Sequence, residues 1–314
     1  LPTLIQLEYV IAVEQEGHFG RAAQRCGVSQ PSLSNAIKNL ERELSVVLFD
    51  RARSPISPTE QGLEFIEQAR RVLHEARKLT HLSDSSRGIP SGKFHIGVIP
   101  TLAPYLIPIF AGDFALKYPQ VQLRVSELKT DNIIRLLRED EIDAGLLVTP
   151  LHEPQIIEKP LYLEPFYVYL SSGHPLSSQK EIKEGELEAE TLWLLEEGHC
   201  FRDQALNICN VRRERSKIAN LELASGNLST LIKLIKRYSG YTLLPEMATY
   251  DLSEEEKVNL RPFHSPVPTR EVSLVHSNRL VKKLIFSVLE REIKSSVPPH
   301  LRSLSDSQAR IIPI

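Results

Sequence analysis

At 314 residues the chain is long enough for a small module plus one or two larger ones, and 41% hydrophobic with 25% charged residues is a globular balance. No apolar run approaches the roughly 20 residues of a bilayer span, and the opening residues show no secretory pattern. Three cysteines are too few for a secreted disulfide framework, so a cytoplasmic protein is expected, in which any disulfide is regulatory or catalytic. A net charge of −2 gives no global basicity, so nucleic-acid binding would require basic residues gathered on one face.

Residues 4–13 have helical apolar spacing and Gly17 closes the segment. Phe19, Ala22, Ala23 and Cys26 make a second short apolar face ended by Gly27, which makes Cys26 a packed, inert thiol. Ser29 ahead of Gln30-Pro31 is an N-cap followed by an early-turn proline, and a third helix starts there. Its Leu33, Ile37, Leu40 and Leu44 form a buried stripe, leaving Gln30, Pro31, Ser32, Ser34, Asn35 and Lys38 for other faces. The pattern is helix, tight turn, helix.

The basic, proline-broken stretch 48–58, with Arg51 and Arg53, fits a β-turn-β wing, and Thr59 caps a long helix after it. Phe65, Ala69, Val72, Ala76 and Leu79 repeat at alternating four and three residues, the seam of a coiled coil, so a homodimer is expected through this helix. A polar stretch with Gly and Pro follows and reads as a hinge.

From residue 93 strands and helices alternate, extended at 94–99, 121–127 and 143–148 and helical at 104–117 and 131–138. A second set has extended 192–195, 221–224 and 241–244, with helices from Cys200 and over 227–238. Residues 166–170 cross between the sets, and 271–276 with the helix after them return to the first. The expectation is an α/β domain of two lobes with parallel sheet, joined by crossing strands that leave a cleft.

The block Ala22-Ala23-Gln24-Arg25-Cys26-Gly27-Val28-Ser29-Gln30-Pro31-Ser32-Leu33-Ser34, followed by Ile37, Leu40, Glu41 and Leu44, resembles the winged helix-turn-helix of LysR-type transcriptional regulators. Leu48-Phe49-Asp50-Arg51 and Ser57-Pro58-Thr59-Glu60-Gln61-Gly62 resemble that family too. The resemblance implies a recognition helix in the major groove of promoter DNA and a wing on the backbone. Gln30, Pro31, Ser32, Ser34, Asn35 and Lys38 would then lie at the groove, with Arg51 and Arg53 on phosphates. It also implies that the two lobes are periplasmic-binding-protein-like.

The segment 194–209 contains Gly198-His199-Cys200, Arg202-Asp203-Gln204-Ala205 and a second thiol, Cys209, after eight intervening residues. It resembles the redox segment of the peroxide-sensing branch of that family. The resemblance implies an intramolecular Cys200–Cys209 disulfide as a switch activating antioxidant genes. Cys200 would be the peroxidatic thiol and Cys209 the resolving one, with Thr101, Thr130, His199, Asp203 and Arg270 around the peroxide. It further implies RNA polymerase as a partner, a glutaredoxin or thioredoxin as reductant, and a homotetramer.

The local reading agrees. Cys200 should start a helix, where the dipole, Arg202 or a charged His199 favours a thiolate. Phe201, Ala205 and Ile208 make one apolar face, with Cys209 packed beside it. Nine helical steps of about 1.5 Å hold the two Cα atoms about 13 Å apart, whereas a disulfide tolerates at most about 7 Å. The helix must unwind for the thiols to pair.

The expected boundaries are a DNA-binding domain over 1–58, a linker helix over 59–85 and a hinge over 86–92. Lobe I takes 93–165 and 269–297, lobe II takes 166–268 with the cysteines, and 298–314 is a flexible tail. A basic run, Arg212-Arg213-Glu214-Arg215, and Arg237-Tyr238-Ser239-Gly240 in place of a smaller glycine-rich turn depart from the family. Two other readings stand beside the switch: control by a small ligand in the cleft, and a thiol peroxidase. A zinc site from His199, Cys200 and Cys209 lacks a fourth ligand, so neither metal nor cofactor is expected.

Overall fold

In a computed structural model, which describes residues 1–85, 88–187, 192–196, 198, 200–209, 227–304 and 309–313, the chain divides into two units, Leu1–Arg87 and Gly88–Ile314. The first opens with α1 (Leu4–Glu16), capped by the Thr3–Gln6 capping box and closed by Gly17 at φ 57°. Helix α2 (Phe19–Arg25) starts at His18, whose Nδ1 accepts the Gly20 amide. Helix α3 (Gln30–Leu44) starts at Ser29, which accepts the Ser32 amide, and buries Leu33, Ile37 and Leu40 against Val10, Val13 and Phe19 in one core. Cys26 packs half-buried against that core.

The wing is a pair of two-residue antiparallel strands, β1 (Phe49–Asp50) and β2 (Ser57–Pro58). Glu41 ties it to α3 by accepting the Leu48 amide and pairing with Arg51. Thr59 leads into α4 (Glu60–Ser85): its hydroxyl donates to the Val47 carbonyl and accepts the Gly62 amide. The helix meets the wing so closely here that a Cβ on Gly62 would lie 2.1 Å from the Leu48 carbonyl oxygen.

The expected seam on α4 is divided in the structure. Phe65 and Ala69 face α1 of their own chain, where they pack with Leu7, Ile11 and Leu73. Val72 and Leu79 remain outside this cluster, 41% and 70% exposed. The first two turns of the apolar repeat are thus consumed by the DNA-binding unit, and the free apolar face is further along the helix.

The second unit is an eight-stranded mixed sheet flanked by helices. Strands β3 (Gly92–Val98), β4 (Val121–Glu127) and β5 (Ala144–Thr149) are parallel, with α5 (Ala103–Lys117) and α6 (Thr130–Arg138) as their crossovers. The long β6 (Ile156–Leu170) changes partner part-way. The strand β9 (Val267–Ser277) lies against its residues 156–165 and β7 (Tyr241–Pro245) against 166–170. Helices α7 (Cys200–Ile208) and α8 (Leu228–Arg237) follow, with short α9 (Glu246–Thr249), α10 (Glu254–Lys257) and β8 (Leu260–Pro262) in the far lobe. Helix α11 (Lys283–Ser296) returns to the near one, where Ile285, Phe286, Leu289 and Ile293 are buried in its core.

Two sequence expectations are revised. Residues 192–195 make an isolated bridge, Leu192 to Tyr241, rather than a strand. Tyr238, in the turn that departs from the family, stacks on Trp193, whose indole donates to the Ser239 carbonyl. The tail expected to be flexible is folded: α12 (Pro299–Arg302) precedes β10 (Ala309–Ile311), which runs parallel to β9, and Ile312 is completely buried. A buried isoleucine and a paired edge offset the ordering cost that leaves polar tails loose. The expected strand 221–224, the basic run 212–215 and hinge residues 86 and 87 lie outside the described residues.

Substituting Gly62→Ala is expected to cost about 1–3 kcal/mol, because the added methyl meets backbone that cannot rotate away. Urea unfolding measures it, and an unchanged midpoint would contradict this packing.

Candidate functional site

Cys200 is the first residue of α7, reached through Gly198, which takes φ 84°, a conformation that a side chain would strain. Cys200 is buried in the core of lobe I, while Cys209, just past the other end of α7, is buried in that of lobe II. The amide of Cys209 still bonds to the Ala205 carbonyl at 3.0 Å, so the helix is formed along the whole interval. At about 1.5 Å per residue the Cα atoms of the two cysteines stand about 13 Å apart along the axis, and both thiols are free.

The surroundings of Cys200 are polar on one side. Thr130 begins α6 and its hydroxyl, buried and without a well-formed hydrogen bond among the described residues, is near enough to Cys200 to favour the thiolate. Arg270 on β9 acts in the same direction through its charge, as does the Phe201 amide. Burial outweighs all three and raises the Cys200 thiol above its ordinary value, against the thiolate expected at this helix start. Arg202, the cation expected to help, donates instead to the Leu195 carbonyl at 2.8 Å.

Arg270 has no exposed surface. Its Nη1 donates to Thr101 Oγ1 at 3.0 Å and its Nη2 to the Thr101 carbonyl at 3.2 Å, so Thr101, Arg270, Thr130 and Cys200 are brought together. The sequence reading missed what holds Arg270. Glu164, equally buried and directly opposite on β6, accepts from its Nε at 2.9 Å. The other oxygen of Glu164 accepts the Met247 amide at the start of α9. One signal was available: a lone carboxylate inside Leu161-Tyr162-Leu163-Glu164-Pro165-Phe166, an apolar crossing strand, needs a buried cation.

Asp203 does not join this group. It is exposed on α7, and its negative charge raises the Cys200 thiol rather than orienting a basic partner. His199 lies outside the described residues. Across the seam between the lobes, Lys129 pairs with Glu196 at 2.7 Å. Burial also raises Cys209, lifting its thiol to about 12 against a hydrogen bond from the Tyr241 hydroxyl at 3.6 Å.

In the first unit Gln30, Pro31, Ser32, Asn35 and Lys38 are exposed at the start of α3 and Ser34 is half-buried, as a groove-entering face requires. The wing arginines are engaged within the chain. Arg51 pairs with Glu41 at 2.8 Å and lies over the Phe19 ring, and Arg53 pairs with Asp50 at 3.1 Å.

Residues 4–63 match the bacterial regulatory helix-turn-helix protein, lysR family, and residues 87–285 the LysR substrate binding domain. The chain belongs to the LysR family. This LysR-family chain is 32% identical over 303 residues to the hydrogen peroxide-inducible genes activator of Dickeya chrysanthemi, covering 96% of this chain and 98% of that protein. Full-length OxyR from Pseudomonas aeruginosa, solved with a cysteine-to-aspartate substitution, is 34% identical with a TM-score of 0.76, over 93% of this chain and 97% of that one. A cysteine-to-serine mutant of Corynebacterium glutamicum OxyR, described as H2O2-bound, is 29% identical with a TM-score of 0.61, over 94% and 92%. The second unit is therefore the two-lobed, periplasmic-binding-protein-like regulatory domain of the family. LysR-family members are transcription regulators and not enzymes, which removes the thiol peroxidase reading.

Two measurements test this geometry. Replacing Glu164 by Ala should cost about 3–5 kcal/mol in urea unfolding, because Arg270 is left buried without a counter-charge; a loss under about 1 kcal/mol would mean the pair is solvated. The second concerns pH. In the reduced chain the unfolded Cys209 thiol ionises near its ordinary value and the folded one at about 12. Stability carried by the neutral buried thiol is complete below about pH 8.5 and declines as pH rises toward the folded value. Cys209→Ala should show a smaller drop in unfolding midpoint between about pH 8 and about pH 11 than the parent chain, both in reductant; equal drops would refute the perturbation.

Proposed function

We propose that this LysR-family chain is a peroxide-responsive activator of antioxidant genes, switched by an intramolecular disulfide between Cys200 and Cys209. The observation that carries the reading is the placement of two free thiols at opposite ends of α7, one beside Arg270, Thr101 and Thr130 and the other packed in the second core. The relatives named for peroxide support it, including the Corynebacterium glutamicum OxyR mutant described as H2O2-bound.

The chemistry balances as follows. The Cys200 thiolate attacks one peroxide oxygen, the O–O bond breaks, and the departing hydroxide takes up a proton to leave as water. Thr101, Thr130, His199 and Arg270 are the groups assigned to hold the peroxide and stabilise the leaving oxygen; Arg270 brings the positive charge. Cys200 is then a sulfenic acid. The Cys209 sulfur attacks the Cys200 sulfur, the S–S bond forms, and the sulfenic oxygen leaves as a second water. Two thiols have been oxidised and one peroxide reduced to two waters. Because the helical interval of about 13 Å far exceeds the Cα separation of about 7 Å that a disulfide tolerates, the second step unwinds α7. Thiol–disulfide exchange with a glutaredoxin or thioredoxin in the cytoplasm resets the switch.

The output is on promoter DNA. The exposed start of α3 enters the major groove, with Gln30 reading a base edge and Lys38 on phosphate, and the family's partner is RNA polymerase. A homodimer forms through the free apolar face of α4 at Val72 and Leu79, and two dimers make a homotetramer.

Mass spectrometry of full-length protein after one equivalent of peroxide should find a peptide linking Cys200 to Cys209, lost in Cys200→Ser. If peroxide-dependent transcription persists in Cys200→Ser, control by a small ligand in the cleft replaces the switch.

A further inference from the structure

The redox helix is not held by its own lobe alone. Gln204, midway along α7 and without exposed surface, donates its side-chain amide to the carbonyl of Ile312 at 2.8 Å. Ile312 shares the lobe II core with Phe201, Ala205, Ile208 and Cys209, the apolar face of the same helix. Its own amide donates to the Thr269 carbonyl at 2.9 Å, one residue from Arg270. Strand β10 is paired to β9 with Ala309 opposite Val267 and Ile311 opposite Thr269, and Arg310 Nε donates to Glu184 at 3.2 Å. The last residues of the chain therefore lie across α7 and fasten it to the strand that carries Arg270.

We propose that residues 309–313 are a strap that holds α7 helical and so sets how readily the thiol pair is oxidised. The inference rests on the disulfide reading above and adds its regulation. Bringing Cys209 to Cys200 unwinds the turns that contain Gln204, which breaks the bond to the Ile312 carbonyl and displaces the apolar face on which Ile312 is seated. Docking of the strap and formation of the disulfide are thus mutually exclusive, and each opposes the other by the same factor. The strap acts on the condensation step. The attack of Cys200 on peroxide needs no unwinding and lies outside its reach, because Cys200 packs in the other lobe's core.

The test compares the full chain with one ending at Leu304, and with Ile312→Asp in the full chain, where a carboxylate forbids docking but every other segment is kept. In a glutathione redox buffer the strapless chains should hold about ten times more disulfide at a given poise, a reduction potential about 30 mV more negative. In peroxide-mixing experiments condensation should quicken about tenfold, while sulfenic acid formation in a Cys209→Ser background changes less than twofold. Reciprocally, hydrogen exchange at the Ile312 amide should be slow in the reduced chain and fast in the oxidised one. An unchanged disulfide ratio in both strapless chains overturns the strap and leaves the switch standing, as does equal exchange at Ile312. General loosening, with both chemical steps accelerated together, also overturns it. If the full chain never links Cys200 to Cys209, the switch itself falls and the strap with it.

Discussion

A guanidinium with no exposed surface cannot be left without a counter-charge, and in this domain that requirement fixes more than one contact. Arg270 and Glu164 face each other across β9 and β6, the two long strands that pass between the lobes. A slip of one residue in either strand would turn one partner to the opposite face and leave two buried charges unpaired. The register of the crossing strands is therefore tied to the ion pair. Further bonds of each side chain reach into the two lobes: Arg270 fixes Thr101 at the turn into α5, and Glu164 fixes the Met247 amide that starts α9. The polar edge of the thiol site is built on this frame and inherits its rigidity. Such a pair contributes little net stability against an apolar alternative; its contribution here is placement.

Against that frame, α7 is the element to which the proposed switch assigns a second arrangement. Its ends are anchored in different cores, Cys200 with the lobe I residues and Cys209 with the lobe II residues, so neither thiol reaches the other by rotating a side chain. Burial keeps both thiols protonated more than in water, which suppresses adventitious pairing and leaves reactivity to the groups that offset it at Cys200. At Cys209 burial lifts the thiol to about 12, and the Tyr241 hydroxyl opposes it weakly. In the proposed switch this arrangement separates the two steps: one thiol would meet the oxidant where it is, and the other would leave its core first.

Much of this was legible in the residues because it obeys local rules. Ser29 and Thr59 sit at helix starts, and Leu33, Ile37 and Leu40 keep helical spacing; both are written within a few positions of each other. The cysteine interval could be converted directly into a helical distance. What could not be seen depended on residues far apart in the chain. Glu164 finds Arg270 across 106 positions, and Gln204 finds the Ile312 carbonyl across 108. The tail looked loose because Pro298, Pro299 and the serines around it are poor element formers, yet its last apolar residues are bound by a strand edge and a core formed elsewhere. Asp203 was misplaced for a related reason: sequence adjacency to Cys200 says nothing of which face of α7 it occupies, and the face is outward. The α4 seam was correct in period but divided in use, since periodicity does not tell an intrachain partner from a second copy.

The wing arginines of the DNA-binding unit are paired within the chain. Arg51 and Arg53 are paired with Glu41 and Asp50, while on α3 Arg42 keeps its charge beside the neutral Asn39 and Lys38 is exposed. The wing arginines thereby help order the wing: the Glu41 carboxylate that takes Arg51 also takes the Leu48 amide. Affinity from counterion release scales with the number of phosphates neutralised, so one such module binds weakly and steeply with salt only when several act together. Useful occupancy then depends on joining modules, where the second contact is paid at an effective concentration set by their spacing. A wing whose arginines are paired within the chain is suited to that arrangement. Had each module been strongly basic, single modules would hold DNA regardless of their spacing, and a change of shape in the regulatory domain would have little to act on.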